Sequence, residues 1–278
     1  MWRYTFCPNF SVLSFTFLIC VAQLLIFIGE MWHTLKNTDS LNEKFFLGIQ
    51  LQTLQVFGMR MPWLIKEGYQ LQRLFLPTFL HFGFSHLVIN LLAQMIIGFM
   101  VESTMGTLRY SFFWLLVAFT SNLFGATVTS DYAIGSDPLI LGTFAALFGC
   151  FVVYWNRIGQ SFGMKMCMVI ILVLLLVITA LLLTQAAAQY KEYANTYHLA
   201  VPDTFGYLGG FLFGFLASLA FLPPGDPRQA NRETRKHEQV VRAVGGVLAA
   251  IMIIILLVVF FAAVKPTKYW YLEGVKLL

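Results

Sequence analysis

Long stretches without a charged residue dominate this chain and constrain its fold more than any other feature. A helix of about 20 apolar residues can cross the roughly 30 Å hydrocarbon core of a bilayer. Seven stretches reach this length, at about 10–29, 78–100, 110–130, 138–156, 166–188, 204–222 and 243–264. Since the chain is 59% hydrophobic and only 11% charged, we expect an all-α polytopic membrane protein with short loops outside the bilayer.

Basic residues near the helix ends predict how these helices are oriented. With the N-terminus inside, the inner segments hold Arg3, Arg109, Arg157, Lys165 and five basic residues within 228–242. The outer loop 131–137 then holds none, and 189–203 holds only Lys191. Because loops retained inside carry an excess of Lys and Arg, we expect the N-terminus inside and the C-terminus outside. Acidic residues are interleaved with the basic ones in 228–242, so the net charge of +5 does not indicate nucleic-acid binding.

The pattern divides the chain into three regions. Residues 1–72 hold the first helix and the only long loop, 73–222 hold a helical core, and 223–278 hold a polar loop, a last helix and a tail. Within the long loop, residues 45–59 alternate apolar residues with Gln and Thr and are too short to span. We expect this stretch to lie in the membrane interface as an amphipathic segment.

The cysteines show neither a C-x-x-C motif nor a paired spacing. All four lie in or beside apolar stretches, at Cys7, Cys20, Cys150 and Cys167. We interpret them as small buried residues rather than as disulfides or metal ligands, and we expect no cofactor.

The second predicted helix carries the polar residues that point most directly to a function. His86 and Asn90 are four residues apart within an uncharged run, so their side chains share one helix face. Polar groups at membrane depth are costly in lipid, so this face should contact protein or a water-filled cavity. His81 precedes them, where Pro77 and Gly83 predict an irregular start to the helix. A plain internal hydrogen-bond network explains the same residues equally well.

Small residues mark two other predicted helices as close partners. The fourth helix has Gly142 and Gly149 on one face, and the sixth has Gly206, Gly210 and Gly214 in four-residue steps. Faces of this kind allow two backbones to approach closely in a membrane. We therefore expect the second, fourth and sixth helices to pack as a central group.

In these motifs the chain resembles the rhomboid family of intramembrane serine proteases, over about residues 73–215. The run that follows Arg73 fits the family pattern H-x-x-x-x-H-x-x-x-N at His81, His86 and Asn90. It also fits G-x-x-x-E-x-x-x-G-x-x-R at Gly98, Glu102, Gly106 and Arg109. The resemblance implies a six-helix core followed here by one additional C-terminal helix. Glu102 and Arg109 flank the turn at Gly106, and we expect them to pair at the membrane surface.

The same resemblance implies which residues would act in catalysis, and two of them are substituted. The family's G-x-S-G reads Gly142-Thr143-Phe144-Ala145 here, which puts Phe144 at the nucleophile position. Its H-x-x-G-x-x-x-G puts Tyr207 at the position of the general base. Phenylalanine has no nucleophilic atom, and a phenol with a pKa near 10 is a poor base at neutral pH. The oxyanion donors His86 and Asn90 remain, so the resemblance predicts an inactive rhomboid with no catalytic residue.

Three functions remain open from the sequence. The first is a structural or binding subunit of a membrane protein assembly, in contact with lipids and other subunits and expected in the mitochondrial inner membrane. The second is the handling of substrate helices in quality control or translocation, as implied by Derlin-like relatives. The third is a protease with a relocated nucleophile, either Thr143 or Ser136 together with His198.

Overall fold

The computed structural model describes residues 14–38, 46–157, 162–188, 199–200, 202–226 and 231–268. The α-helices within these ranges are α1 (Phe15–Thr38), α2 (Leu51–Phe57), α3 (Pro62–Lys66), α4 (Phe84–Met105), α5 (Thr107–Val128), α6 (Asp137–Val153), α7 (Phe162–Ala188), α8 (Thr204–Phe221) and α9 (Arg232–Val258). Two 3-10 turns, Leu71–Leu74 and Leu76–Phe79, lead into α4, and a π-helical turn, Val259–Ala263, ends α9. The predicted all-α fold is confirmed, because extended pairing in the described ranges is limited to isolated bridges.

Six described helices are long and apolar enough to cross a membrane: α1, α4, α5, α7, α8 and α9. The chain is therefore a multi-pass membrane protein, as predicted. The seventh predicted span, 138–156, forms the shorter helix α6, whose 17 residues extend about 26 Å at about 1.5 Å per residue. Because α6 is buried among its neighbours along most of its length, its apolar sequence packs against protein.

The contact between α6 and α8 forms the centre of the bundle. A Cβ atom on Gly214 would overlap the carbonyl group of Gly142, and one on Gly210 would overlap the carbonyl group of Pro138. At the other end of α6, a Cβ on Gly149 would overlap the side chain of Ser218. The two helices are therefore in direct backbone contact. Helix α6 also contacts α4, whereas the other extensive neighbours of α8 are α5 and α9.

We expect Gly214→Ala to lower the free energy of unfolding by about 1–3 kcal/mol, the usual range for an overpacked core. The new methyl group would meet the backbone of α6, which cannot rotate away as a side chain can. Thermal unfolding in a mild detergent measures the change. Gly246→Ala is the matched control, because its Cβ would lie 3.4 Å from the nearest atom, on Ala220. The control should leave stability unchanged or raise it by up to about 1 kcal/mol, and equal effects of the two substitutions would contradict the packing.

Residues 46–83, which precede α4, fold as a compact cap on the bundle. Thr53, Leu54 and Gln55 are consecutive and all buried, whereas Gln52 is exposed. Part of the expected amphipathic segment at 45–59 packs against α1 and the start of α4, and its position in the membrane interface stays a prediction. Arg73 holds the cap together by donating hydrogen bonds to the carbonyl oxygens of Gln55, at 3.0 Å, and Met59, at 2.9 Å. Burial lowers the pKa of the Arg73 guanidinium to about 10.

Glu102 points into the protein rather than toward Arg109. Its carboxylate accepts hydrogen bonds from the backbone nitrogens of Phe15, at 2.8 Å, and Thr16, at 2.9 Å, and from the Thr16 hydroxyl at 2.7 Å. Arg109 is exposed, so the expected surface pair does not form. The first N–H groups of a helix lack intrahelical acceptors, and a carboxylate satisfies them while matching the helix dipole. Glu102 therefore anchors the start of α1 to the end of α4.

Candidate functional site

A cluster of polar side chains lies where α4 and α6 begin. His86 and Asn90 of α4 face inward and are almost fully buried. The His86 Nε2 atom donates to a carboxylate oxygen of Asp137 at 2.9 Å, and the amide nitrogen of Asn90 lies 3.3 Å from the same ring nitrogen. These three residues form the His86 cluster.

Aromatic rings enclose the His86 cluster on the side of the cap. The ring of His81 meets that of His86 edge to face at 5.3 Å, and the ring of Phe82 stacks on His86 at 5.9 Å. His81 donates from Nδ1 to the carbonyl oxygen of Phe79 at 3.2 Å. Burial, reinforced by the neighbouring His86, lowers the pKa of His81 well below its usual value, so His81 is neutral at physiological pH.

Asp137 is the member of the cluster that the sequence pattern did not reveal. It begins α6 directly before Pro138, in a stretch that we treated as a short outer loop. Gly135 allows Asp137 to approach His86. Its φ is +113°, which favours glycine, and a Cβ at this position would overlap the Asp137 carboxylate and contact His86. The sequence signal that could have identified Asp137 is its position as an acidic residue directly before a long uncharged helix.

A second buried ion pair lies at the start of α8. The two terminal nitrogens of the Arg60 guanidinium, Nη1 and Nη2, donate to Asp203 at 2.6 and 3.0 Å, and Arg60 is completely buried. Asp203 also accepts from the backbone nitrogen of Gly206 at 3.1 Å and so caps α8. The guanidinium lies against Gly125 of α5, where a Cβ would overlap it. The pair joins the cap to two helices of the bundle, and no sequence motif indicated it.

Phe144 and Tyr207 lie in the main hydrophobic core. Phe144 is 2% exposed, and Tyr207 is partly buried and packs against the same group of residues. The Phe144 ring contacts that of Phe148 at 6.0 Å between centroids. Phe144 therefore contributes a packed hydrocarbon ring to the core on this part of α6.

The structure describes two of the residues that could supply a relocated nucleophile, Thr143 and Ser136. The Thr143 hydroxyl donates to the carbonyl oxygen of Leu139 at 3.0 Å, inside its own helix. Ser136 is fully buried at the start of α6, and its oxygen makes no hydrogen bond within the described part of the chain. His198 lies outside the described residues, as does Cys7.

The remaining motif glycines have structural surroundings. A Cβ on Gly98 would be 2.9 Å from both Thr16 and the Tyr110 hydroxyl, so it permits close packing of α4 on α1 and α5. Gly106 has a φ of +80° at the turn between α4 and α5. Across the ranges that the structure covers, no three His, Cys, Asp or Glu side chains converge in a way that could hold a metal ion.

Comparison with known proteins places these observations in a family. A model of the Rhomboid domain matches residues 68–224. The chain is 27% identical over 216 residues to Rhomboid-like protease 1 of Toxoplasma gondii. The aligned region covers 77% of this chain and 66% of that protein. It is 24% identical over 222 residues to RHOMBOID-like protein 6, mitochondrial, of Arabidopsis thaliana, covering 79% of this chain and 63% of that protein. It is 28% identical over 158 residues to Inactive rhomboid protein 1 of Danio rerio, covering 55% of this chain and 16% of that protein. The chain thus spans less than two thirds of the length of each of these relatives.

Proposed function

The chain belongs to the rhomboid family, and from that premise we propose that it is a catalytically inactive member that acts as a structural or binding subunit of a membrane protein assembly. One observation carries the proposal. The residues at the nucleophile and base positions of the family motifs are Phe144 and Tyr207, and Phe144 is packed into the core. A serine and its base act as a unit, so loss of both removes the covalent chemistry.

The proposal does not depend on how the G-x-S-G motif is placed on α6. If its last glycine is matched to Gly142, the nucleophile position falls on Leu141 instead of Phe144. Leu141 lies one turn after Asp137 and is also buried. Neither leucine nor phenylalanine has an atom that can attack a carbonyl group.

The environment of His86 supports the same interpretation. In a protease of this type, the histidine and asparagine donors stabilise the oxyanion that a nucleophile creates. Here the His86 Nε2 proton is directed at the Asp137 carboxylate. This buried contact joins the start of α4 to the start of α6, and it forms without a substrate.

Location and partners follow from this proposal. The exposed apolar side chains of α7 contact bilayer lipids. We place the N-terminus inside and the protein in the mitochondrial inner membrane, where a large complex would recruit an inactive homologue. The name of the Arabidopsis relative supports this location.

The handling of substrate helices is a second candidate, supported by a cleft between α4 and α7. The cleft has a volume of about 380 Å³ and an almost entirely apolar lining, made by Ile89, Leu92, Ala93, Ile96, Ile97, Thr179, Leu182 and Leu183. An apolar groove between two helices fits a third helix of similar character. In this second candidate function the protein is also catalytically inactive, but it binds substrate helices instead of the subunits of an assembly.

We expect no proteolytic activity from the purified protein in lipid. The assay combines generic rhomboid substrates with a fluorophosphonate probe that labels activated serines, with an active rhomboid protease as the positive control. The double variant Phe144→Ser/Tyr207→His should also remain inactive, because His86 stays engaged with Asp137. Specific cleavage that is abolished by Ser136→Ala, Thr143→Ala or His198→Ala would overturn the proposal.

Purification of the native protein in mild detergent separates the two candidates. A structural subunit should elute with a fixed set of membrane proteins at constant stoichiometry. A helix-handling protein should instead yield varied, substoichiometric partners, and a photo-crosslinker at Leu92 or Leu182 in the cleft should capture them.

A further inference from the structure

Helix α9 is longer than a membrane requires. Its apolar span, Arg232–Ala263, contains 32 residues, which extend about 48 Å at about 1.5 Å per residue. The hydrocarbon core is about 30 Å thick, and the uncharged residues 243–263 are enough to cross it. Residues 232–242 therefore add about three helical turns, which begin in the lipid headgroup layer and continue about 16 Å from the hydrocarbon core.

These three turns have an inward and an outward face. Thr234 and Glu238 are buried against the protein, whereas Arg232, Arg235 and Lys236 are exposed. Positions 232, 235 and 236 share one side of a helix, because residues three and four apart are neighbours. The exposed residues therefore form a basic stripe along the outer side of α9.

The buried acid on the inward face is already neutralised. Glu238 forms an ion pair with Arg157, and it also accepts from the backbone nitrogen of Gly225 at 3.2 Å. Glu233 and Asp226 are the exposed carboxylates of the described residues near this segment. The outer side of α9 therefore keeps a net positive charge.

Arg242 lies one turn after Glu238, on the inward side of α9, and is not part of the stripe. It is half-buried, and its guanidinium lies 3.5 Å from the carbonyl oxygen of Ala220 without forming an ion pair among the residues that the structure describes. At the same end of the bundle, Lys165 lies over the ring of Trp155, 4.3 Å from its centroid. Tryptophan and lysine at a helix end are typical of the membrane interface. The contact between Lys165 and Trp155 therefore marks this end of the bundle as the end near the membrane interface.

We propose that the basic stripe formed by Arg232, Arg235 and Lys236 binds the headgroups of anionic phospholipids. Guanidinium groups pair with phosphate through two parallel hydrogen bonds, and basic residues beside a membrane helix attract acidic lipids. The adjoining apolar part of α9 fixes the stripe at the bilayer surface. Because the stripe is held beside the membrane, lipid headgroups are the anions nearest to it. A protein or nucleic acid in solution is not held there.

The test compares purified protein in nanodiscs of phosphatidylcholine with and without phosphatidylglycerol. Mass spectrometry counts the lipid that remains bound after extraction into neutral detergent, and thermal unfolding follows stabilisation. We expect preferential retention of phosphatidylglycerol, weakened by salt, and a higher melting temperature in its presence. Loss of one basic residue near an acidic surface weakens binding about fivefold, so Arg232→Gln/Arg235→Gln/Lys236→Gln should retain at least about tenfold less phosphatidylglycerol.

Lys265→Gln/Lys268→Gln is the matched control, because it removes exposed charges beyond the opposite end of α9. It should retain the lipid as the unmodified protein does. Equal retention by the triple variant and the unmodified protein, or equal retention of the two lipids, would overturn the proposal. An equal stabilisation by free inorganic phosphate would also overturn it. If the triple variant fails to fold, Arg235→Gln alone and the salt dependence of the unmodified protein decide the question.

Discussion

Arg60→Ala is expected to lower the free energy of unfolding by about 3–5 kcal/mol, the range measured when one partner of a buried ion pair is removed. Arg60 is completely buried and donates two hydrogen bonds to Asp203. Truncation would leave the Asp203 carboxylate inside the protein without its counter-charge. It would also open a space beside Gly125, because the guanidinium lies against that residue. Thermal unfolding in mild detergent measures the loss.

Two further variants test the origin of this effect. Arg109→Ala removes an exposed arginine and should change stability by no more than about 0.5 kcal/mol. The double variant Arg60→Ala/Asp203→Ala should be less destabilised than the sum of the two single changes, because the second truncation removes the charge that the first left unpaired. Additive losses, or a loss below about 1 kcal/mol for Arg60→Ala, would contradict a coupled buried pair.

The membrane-spanning helices could be predicted because the bilayer requires a continuous apolar stretch within each helix, which is visible in the local sequence. Each membrane span must be apolar and helical along its own length, so composition alone located α4, α5, α7 and α8 closely. Composition does not show whether an apolar helix faces lipid or protein. The short α6 therefore looked like an ordinary span, although protein surrounds it.

The polar residues of the site were predictable only where spacing reveals them. His86 and Asn90 lie four residues apart on one helix, which indicates a shared face. The partners Arg60 and Asp203 are separated by 143 residues, and His86 and Asp137 by 51. No periodicity links such distant positions, so tertiary structure alone brings them together.

Glu102 and Arg109 show how sequence proximity misled the prediction. Opposite charges flanking a turn suggested a surface pair. The unsatisfied N–H groups at the start of α1 bind the carboxylate instead, and they lie 86 and 87 residues away in sequence. Three hydrogen bonds to a buried carboxylate outweigh an exposed ion pair, which contributes at most about 1 kcal/mol.

Phe144→Ala is expected to lower the free energy of unfolding by about 3–5 kcal/mol, the usual loss for truncating a phenylalanine in a packed core. The ring is 2% exposed and belongs to the core that joins α5, α6 and α8. Phe112→Ala is the matched control, because that ring is 56% exposed on α5 and leaves no internal cavity. Thermal unfolding of both variants in the same detergent gives the comparison.

The outcome for Phe144 bears directly on why a nucleophile position would hold a phenylalanine. In an active serine protease, the space around the nucleophile must admit a substrate carbonyl group, so it cannot be filled by a core side chain. A large loss of stability in Phe144→Ala, with no gain of hydrolysis, would show that this space now belongs to the packed interior. A loss no larger than that of Phe112→Ala would show that the ring does not stabilise the core, and the proposed structural role of this position would be wrong.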